Sequence, residues 1–280
     1  GLHETVVEVA ERYGLRVDAV DSGYGADDGP SLGSASVISV EKPAIAILAE
    51  GPVRGYSFGW AWHALDRQYE IPVTPIRTGS VAGRPLDRFD VLVIPSASSG
   101  ALSRELGEGG VDRIRRWVRE GGTLVTIGSA TDFAADSARL DLIDLRSWYD
   151  TEDGEDAQRF SVPGAIVRGL SDEAYWITAG VNGSELPVLV NGSRIYLDAE
   201  PPPSGSRRPA VRLAPSEDLR LSGHLWTESE ERLGDAVFLY EQRVGAGRVI
   251  AFAEDPNFRG FWRGVDRLFL NAVLVGPSAP

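Results

Sequence analysis

The residues best suited to chemistry stand in a tight turn after an apolar run. Leu124, Val125 and Ile127 lie between glycines, the pattern of a parallel strand covered on both faces. Gly128-Ser129-Ala130 follows and resembles a strand-to-helix elbow that lifts one hydroxyl above the sheet edge. In open α/β sheets, ligands bind at that carboxyl edge. Residues 121–133 therefore indicate a ligand-binding or nucleophilic turn, and the competing interpretation, which capping preferences favour, is a helix N-cap at Ser129.

A second hydroxyl-rich loop is predicted at the same edge of the sheet. The apolar segment 90–95 predicts a strand, and Ser96-Ala97-Ser98-Ser99-Gly100 follows it directly. Its hydroxyls and free amides could cradle an anion, although no phosphate-loop signature is present. We therefore take four residues as candidate ligand-binding positions: Ser98, Ser99, Gly128 and Ser129.

A serine hydrolase is an alternative that these residues leave open. Ser129 would be the nucleophile, His224 the base, and Glu254 or Asp255 the orienting carboxylate, with backbone amides of the turn as oxyanion donors. No Gly-x-Ser-x-Gly motif is present, and a lone histidine is more often structural. We expect no catalytic pair, with the Ser129 and His224 side chains beyond the ~3.2 Å reach of a hydrogen bond.

Composition excludes several classes of partner. The chain has 280 residues, 42% of them hydrophobic, which is enough for a sizeable core. Its formal charge of −13 opposes binding to a nucleic-acid backbone, so we expect no nucleic-acid partner. No apolar run approaches the roughly 20 residues that cross a bilayer, so we expect no membrane partner.

Cysteine and histidine usage limits metal chemistry. The chain has no cysteine, which excludes disulfides, thiolate nucleophiles and cysteine-based zinc sites. Its three histidines, His3, His63 and His224, lack the spacing of a zinc site, so we predict no metal and no cofactor in this chain. The absence of methionine indicates a processed product or a part of a longer protein, and the single lysine, Lys42, is typical of a GC-rich bacterial genome.

Strands alternate with helices over the first half of the chain. An N-terminal helix and a short strand at 15–20 lead into a Gly/Ser-rich linker, which predicts a segment 1–41 and a main domain 42–280. Apolar strand patterns recur at 44–48, 72–76 and 90–95, with helices from Ser57 and over 110–120 between or after them. This order predicts a doubly wound, mostly parallel α/β sheet.

The second half predicts an insertion, a hairpin and a closing helix. Short β-like pieces at about 146–215 indicate an irregular β-rich insertion at the rim, and 236–244 with 248–253 form a hairpin. Asp255 as cap and Pro256 at the first helical position predict the start of the final helix. That helix would carry a solvated row of Arg259, Arg263 and Arg267.

Five aromatic residues would serve a glycan- or peptide-binding module: Trp148, Tyr149, Tyr175, Trp176 and Trp226.

Several segments together resemble a known family. They are Tyr56-Ser-Phe-Gly-Trp60, Leu65-Asp-Arg-Gln-Tyr69, Arg88-Phe-Asp-Val-Leu-Val-Ile-Pro95, Trp117-Val-Arg-Glu-Gly-Gly-Thr-Leu124 and Phe252-Ala-Glu-Asp-Pro-Asn-Phe-Arg-Gly-Phe-Trp-Arg-Gly264. They resemble the region downstream of the catalytic domain in large bacterial zinc carboxypeptidases of the carboxypeptidase A class. That region is similar to the class I glutamine amidotransferase fold, a flavodoxin-like α/β domain.

The resemblance implies an accessory role rather than catalysis in this chain. The family's catalytic domain needs a His-x-x-Glu pair and a distant histidine on zinc, which are absent here, and a class I amidotransferase needs a cysteine where Ser129 stands. The resemblance therefore implies a non-catalytic accessory domain, a zinc carboxypeptidase domain upstream in the same polypeptide, and a secreted or periplasmic location. The alternatives are a glycan- or peptide-binding module and the serine hydrolase.

Overall fold

A computed structural model describes residues 1–15, 17, 22–25, 31, 34, 37, 39–147, 161–192, 194–198 and 207–279. The chain divides into two compact units, Gly1–Val40 and Glu41–Pro280. The first unit contains helix α1, Leu2–Tyr13, which ends at Gly14 in the left-handed conformation (φ 62°). The predicted strand at 15–20 falls largely outside the described residues. Among the helices that are described, none is long and apolar enough to cross a membrane.

The first half of the second unit alternates strands and helices as predicted. Its elements in order are β1 Ile45–Ala49, α2 Gly55–Trp62 with a π-helical continuation His63–Gln68, β2 Val73–Arg77, a 3₁₀ segment Thr78–Gly83, β3 Val91–Ile94, α3 Ser99–Arg119, β4 Thr123–Ile127 and α4 Ala130–Ala135.

The second half is mostly antiparallel. Its main elements are β5 Leu145–Ser147, β6 Val162–Ser171, β7 Glu185–Gly192, β8 Tyr196–Asp198, β9 Arg207–Leu213, β10 Arg220–Gly223, α5 Thr227–Leu233, β11 Val237–Val244, β12 Gly247–Phe252 and α6 Asp266–Leu274. Short 3₁₀ segments lie at Trp176–Thr178, Ser216–Asp218, Phe258–Gly260 and Gly276–Ser278.

One ten-stranded sheet organises this unit, in the order β10-β6-β9-β11-β12-β4-β3-β1-β2, with β7 paired to β6. The strands from β12 to β2 are all parallel, whereas β11, β9, β6, β10 and β7 pair antiparallel. The doubly wound, mostly parallel arrangement predicted for the centre is therefore present. The sequence predicted an irregular insertion at the rim of the sheet, but three of the insertion's strands, β6, β7 and β9, extend the central sheet.

Burial explains why the parallel strands lie at the centre. Every residue of β1, β3, β4 and β12 is buried, so both faces of these strands are covered. Helix α3 packs one apolar face on the sheet, including Leu102, Ile114 and Trp117. Each fully buried aliphatic side chain stabilises the fold by about 1.5–3 kcal/mol.

Two helix boundaries differ from the sequence prediction. Helix α3 begins at Ser99 rather than at residue 110, with Gly107 (φ 62°) breaking its regular geometry. The last helix begins at Asp266 rather than at Asp255, because Arg259 (φ 54°) and Gly260 (φ 67°) are left-handed and interrupt a continuous helix. Asp255 therefore caps no helix. Its carboxylate instead accepts a hydrogen bond from the Ser57 hydroxyl.

Candidate functional site

The carboxyl ends of four parallel strands converge on one polar site. Ser57 follows β1, Ser96 follows β3, Ser129 follows β4, and the Glu254–Asp255 pair follows β12. In a parallel sheet these ends share one edge, which is where open α/β sheets bind ligands. The fold thus brings together side chains from the whole length of the second unit.

A hydrogen-bonded chain of serines connects these loops. The Ser57 hydroxyl donates to Asp255 Oδ1. The Ser96 amide donates to Ser57 Oγ at 2.9 Å, and Ser96 Oγ lies 2.9 Å from Ser129 Oγ. Because every link is buried or partly buried, the chain holds the strand ends in a defined arrangement.

Ser129 does not have the geometry of an activated nucleophile. The left-handed position of the turn is taken by Gly128 (φ 56°), while Ser129 has ordinary helical angles (φ −67°, ψ −11°). The Ser129 side chain is 4% exposed, and its hydroxyl pairs with Ser96. Ser129 occupies the N-cap position of α4, but its side chain makes no capping bond, so the predicted cap interaction is absent.

His224 lies far from this edge of the sheet. It follows β10, which is five strands from β4 in the sheet order, a separation of roughly 24 Å at about 4.8 Å per strand. Its ring contacts Trp226 edge-on, with centroids 4.6 Å apart. The alternative triad of Ser129, His224 and a carboxylate is therefore not assembled.

The two serines of the loop before α3 differ in burial and in hydrogen bonding. Ser98 is exposed and stands at the N-cap of α3 without a side-chain cap bond. Ser99 is buried, and its hydroxyl accepts a hydrogen bond from the Arg139 guanidinium. Both line the same crevice as Ser129, so three of the four predicted binding residues share one cavity.

The insertion supplies two residues that sequence patterns did not reveal. Between β7 and β8, Arg194 Nε is buried and has no hydrogen-bond partner among the described residues, and Asp132 Oδ2 lies 4.0 Å from it. The Tyr196 hydroxyl donates to Asp132 Oδ1 at 2.8 Å and lies 3.1 Å from the Gly128 carbonyl. Burial, and then the Asp132 charge, raise the Tyr196 pKa well above its usual value, so this hydroxyl stays protonated.

Two cavities open at the site, and they share Arg54 and Arg194. The inner cavity has a volume of about 160 Å³, and its walls include Tyr56, Trp60, Asn191, Glu254 and Asp255. The outer crevice has a volume of about 810 Å³, and its walls include Ser98, Ser129, Asp132, Arg139 and Tyr196. Both arginines therefore lie within the walls available to a ligand in either cavity.

The two carboxyl groups after β12 are driven to different protonation states. Burial raises the Glu254 pKa to about 8, the Asp255 charge adds to the effect, and Arg194 opposes it. Burial also raises the Asp255 pKa to about 6, partly offset by the Ser57 hydrogen bond. Near pH 7, Glu254 therefore carries a proton and Asp255 is ionised, a split typical of functional carboxyl pairs.

The remaining predicted groups lie apart from this site. In the described ranges, no cluster of three or more His, Cys, Asp or Glu side chains could hold a metal ion. Trp176 donates to buried Glu241 at 3.1 Å, which is a structural contact, and Trp226 is 55% exposed. Trp148 and Tyr149 lie outside the described residues. The aromatic rings beside the site are instead Tyr56, Trp60 and Phe258.

Comparisons with known proteins define the fold. No family model and no curated protein matches the sequence. The structure is similar to a cytoplasmic protein from Salmonella typhimurium, with a TM-score of 0.56, 12% identity, and coverage of 85% of this chain and 100% of that one. A thua-like protein from Parabacteroides merdae gives a TM-score of 0.54 and 13% identity, covering 84% and 89%. A glutamine amidotransferase gives a TM-score of 0.50 and 15% identity, with coverage of 82% of this chain and 98% of that one.

The chain therefore has a glutamine amidotransferase-like, flavodoxin-like α/β fold, which confirms the fold that the motif resemblance implied. At these identities the similarity concerns the fold alone. The link to zinc carboxypeptidases stays a prediction.

Proposed function

We propose that this chain is a ligand-binding domain without catalytic activity of its own, which holds a small anionic ligand at the carboxyl edge of its sheet. The observation that carries the proposal is the position of Arg54 and Arg194, which line both cavities. Guanidinium groups bind carboxylates and phosphates through paired, charge-assisted hydrogen bonds. The site thus offers the chemistry that an anion requires.

The pairing state of the two arginines supports this proposal. Arg54 is exposed and, in the described part of the chain, has no carboxylate within 4.0 Å. Arg194 approaches Asp132 only at 4.0 Å, and its buried Nε has no hydrogen-bond partner in the part of the chain that the structure describes. Since an unpaired buried donor costs about 1–3 kcal/mol, an anion that accepts from Arg194 would remove that penalty.

Charge and helix geometry favour the same class of ligand. The whole chain carries −13, so an anion is attracted only where arginines are locally concentrated. The outer crevice also contains Arg139 and Arg146, and it lies at the start of the long helix α3, where free amides favour negative charge. A small anion is therefore a better fit than a neutral ligand.

Calorimetric titration of the whole chain tests this function. The ligands are inorganic phosphate, citrate and glucuronate, with neutral glucose for comparison. We expect at least one anion to bind, and Arg194→Ala and Arg54→Ala each to weaken it by about tenfold or more, as loss of a charged hydrogen bond does. Arg116, exposed on α3 and remote from both cavities, provides the control Arg116→Ala. Binding that neither site variant weakens would overturn the proposal.

The motif resemblance supports a second part of the proposal: this domain accompanies a zinc carboxypeptidase domain in the same polypeptide and presents ligands or peptides to it. Zinc and peptide hydrolysis would then belong to the partner domain, and this chain should hold no stoichiometric zinc by elemental analysis. The coding sequence upstream of Gly1 is the direct test. An upstream region without a His-x-x-Glu pair and a distant histidine contradicts this part but leaves ligand binding intact.

A further inference from the structure

The inner cavity combines a charged wall with an aromatic wall. Arg54 and Arg194 line it together with the Glu254 carboxyl group. Tyr56 and Trp60 also line it, stacked with ring centroids 6.0 Å apart and planes inclined by 18°. Trp60 contacts Phe258 at a centroid distance of 4.9 Å, which fixes the position of its ring. A ligand here meets cations together with a flat apolar surface.

The size of the inner cavity limits what can enter it. Its volume is about 160 Å³. An apolar cavity of about 150 Å³ holds one benzene ring in another protein, so the enclosed space here matches one unsubstituted six-membered ring, and the substituents of a ring must extend towards the outer crevice. Larger ligands would have to extend past the arginines into the outer crevice. The inner cavity therefore selects the terminal ring of a ligand, or a ligand of one ring.

The protonation state of Glu254 determines the charge of this cavity. Its Oε1 is enclosed and has no hydrogen-bond partner within the described ranges, and burial raises the Glu254 pKa to about 8. At neutral pH the cavity then holds two guanidinium groups and one ionised carboxylate, Asp255. This leaves one positive charge for one anionic group on the ligand. The protonated Glu254 carboxyl adds a hydrogen-bond donor.

Building on the proposed function, we propose that the inner cavity binds a hydroxylated ring acid of the uronic-acid type. Its carboxylate lies between Arg54 and Arg194, one apolar face of the ring packs on Trp60, and a ring hydroxyl accepts a hydrogen bond from the Glu254 carboxyl group. Each part of such a ligand thus contacts cavity residues of matching chemistry, whereas a simple inorganic anion has no ring to pack on Trp60.

Ionisation of Glu254 should oppose this binding. The groups that face or border it are Arg54 from the β1–α2 loop, Arg194 from the insertion, and Asp255 from its own loop, with Asp132 and protonated Tyr196 at the outer crevice. A charged Glu254 would compete with the ligand carboxylate for the same arginines and would lose its donor. If only the protonated form binds, affinity should fall about tenfold between pH 7 and pH 9.

Calorimetric titrations with three matched ligands test this inference. Glucuronate has the ring and the carboxylate, gluconate has the carboxylate and hydroxyls on an open chain, and glucose has the ring alone. We expect glucuronate to bind about tenfold or more tightly than either, and about tenfold more weakly at pH 9 than at pH 7. Glu254→Gln keeps a donor without a titrating proton, so its affinity should change less than about twofold over this range. Trp60→Ala should weaken glucuronate and leave inorganic phosphate unchanged.

Each outcome separates this inference from the anion-binding function. If gluconate or phosphate binds as tightly as glucuronate, ring selection is wrong and the anion site stands. If glucose matches glucuronate, or if Glu254→Gln keeps the full pH dependence, the inference is likewise overturned. If no anion binds, both proposals are wrong. Circular dichroism and thermal melts of each variant verify that the fold is retained.

Discussion

The hydroxyl of Ser57 donates a hydrogen bond to Asp255 Oδ1, although the two residues are 198 positions apart in the chain. Ser57 Oγ also accepts the Ser96 amide at 2.9 Å. One hydroxyl thus joins the first turn of α2, the end of β3 and the loop after β12. This contact holds the carboxyl pair at the inner cavity, because it restrains Asp255 directly and Glu254 through the shared backbone.

Replacing Ser57 by alanine should raise the Asp255 pKa above about 6. The hydrogen bond stabilises the charged carboxylate, so its loss favours the protonated form. The variant also leaves the buried Ser96 amide without its acceptor, which should cost about 1–3 kcal/mol of stability. Carboxyl-carbon NMR titration measures the pKa. Ser103→Ala on α3 is the control, and an unchanged Asp255 titration in Ser57→Ala would contradict this account.

The stability of the fold should decrease as pH rises from about 4.5 to 8. The folded pKa of Glu254, about 8, lies above its ordinary value of 4.5, so in this window the folded state keeps a proton that the unfolded state releases. Its stabilising contribution is complete below pH 4.5 and is lost as pH approaches 8. Glu254 contributes a slope of at most about 1.4 kcal/mol per pH unit, and Asp255 adds to that slope up to about pH 6.

Urea unfolding at half-unit steps from pH 5 to pH 9 measures this slope. Glu254→Gln should flatten the curve between pH 6 and pH 8, where Glu254 alone of the pair contributes. Glu120→Gln, at an exposed position after α3, should leave the curve unchanged. A wild-type slope that persists in Glu254→Gln would mean that another group titrates there.

The buried ion pair between Glu241 and Arg248 should be costly to break. Arg248 Nη1 donates to Glu241 Oε1 at 2.6 Å, and the two side chains are 6% and 4% exposed. Replacing Glu241 by leucine leaves an uncompensated buried charge and should cost about 3–5 kcal/mol. The double replacement of both residues by leucine should cost less than the sum of the single ones.

Thermal and urea melts of these variants decide the point. The exposed pair Arg168–Glu185 provides the matched control, since its side chains are 31% and 56% exposed. Glu185→Leu should change stability by about 1 kcal/mol or less. Equal costs for the buried and the exposed pair would show that burial does not determine their contribution.

Replacing Asp266 should reduce the stability of the fold more than replacing an arginine of the row beside it. Its buried carboxylate accepts hydrogen bonds from four side chains: Asn257, Gln68, Tyr69 and Arg263. Asp266→Ala leaves these donors without an acceptor and should cost about 2–4 kcal/mol. Arg263 forms an ion pair with Asp266, whereas the sequence predicted only a solvated row. Because the Arg263 side chain is 53% exposed, Arg263→Ala should cost about 1 kcal/mol or less. Urea melts compare the two, and equal costs would contradict the assignment of Asp266 as the centre of the cluster.

The sequence by itself determined the architecture of the central sheet. Apolar runs that end in glycine or polar residues mark β1, β3 and β4, and their alternation with helices implies parallel order. The same pattern places Ser98 and Ser129 just beyond strand ends, so their common edge was predicted. Asp255 was expected to cap the last helix, and its place at this edge depends on the parallel pairing of β12 with β4. These features are local, because a strand's burial pattern and its direction relative to the next strand depend on nearby residues and short crossovers.

Only the tertiary structure decided which of these residues meet. The insertion delivers Arg194 and Tyr196 to the site through non-local antiparallel pairing, which no local pattern encodes. The distance between His224 and Ser129 follows from the position of β10 at the far edge of the sheet, five strands away. The raised pKa of Glu254 likewise arises from burial among groups distant in sequence, since desolvation exists only once the chain has folded around the carboxyl group.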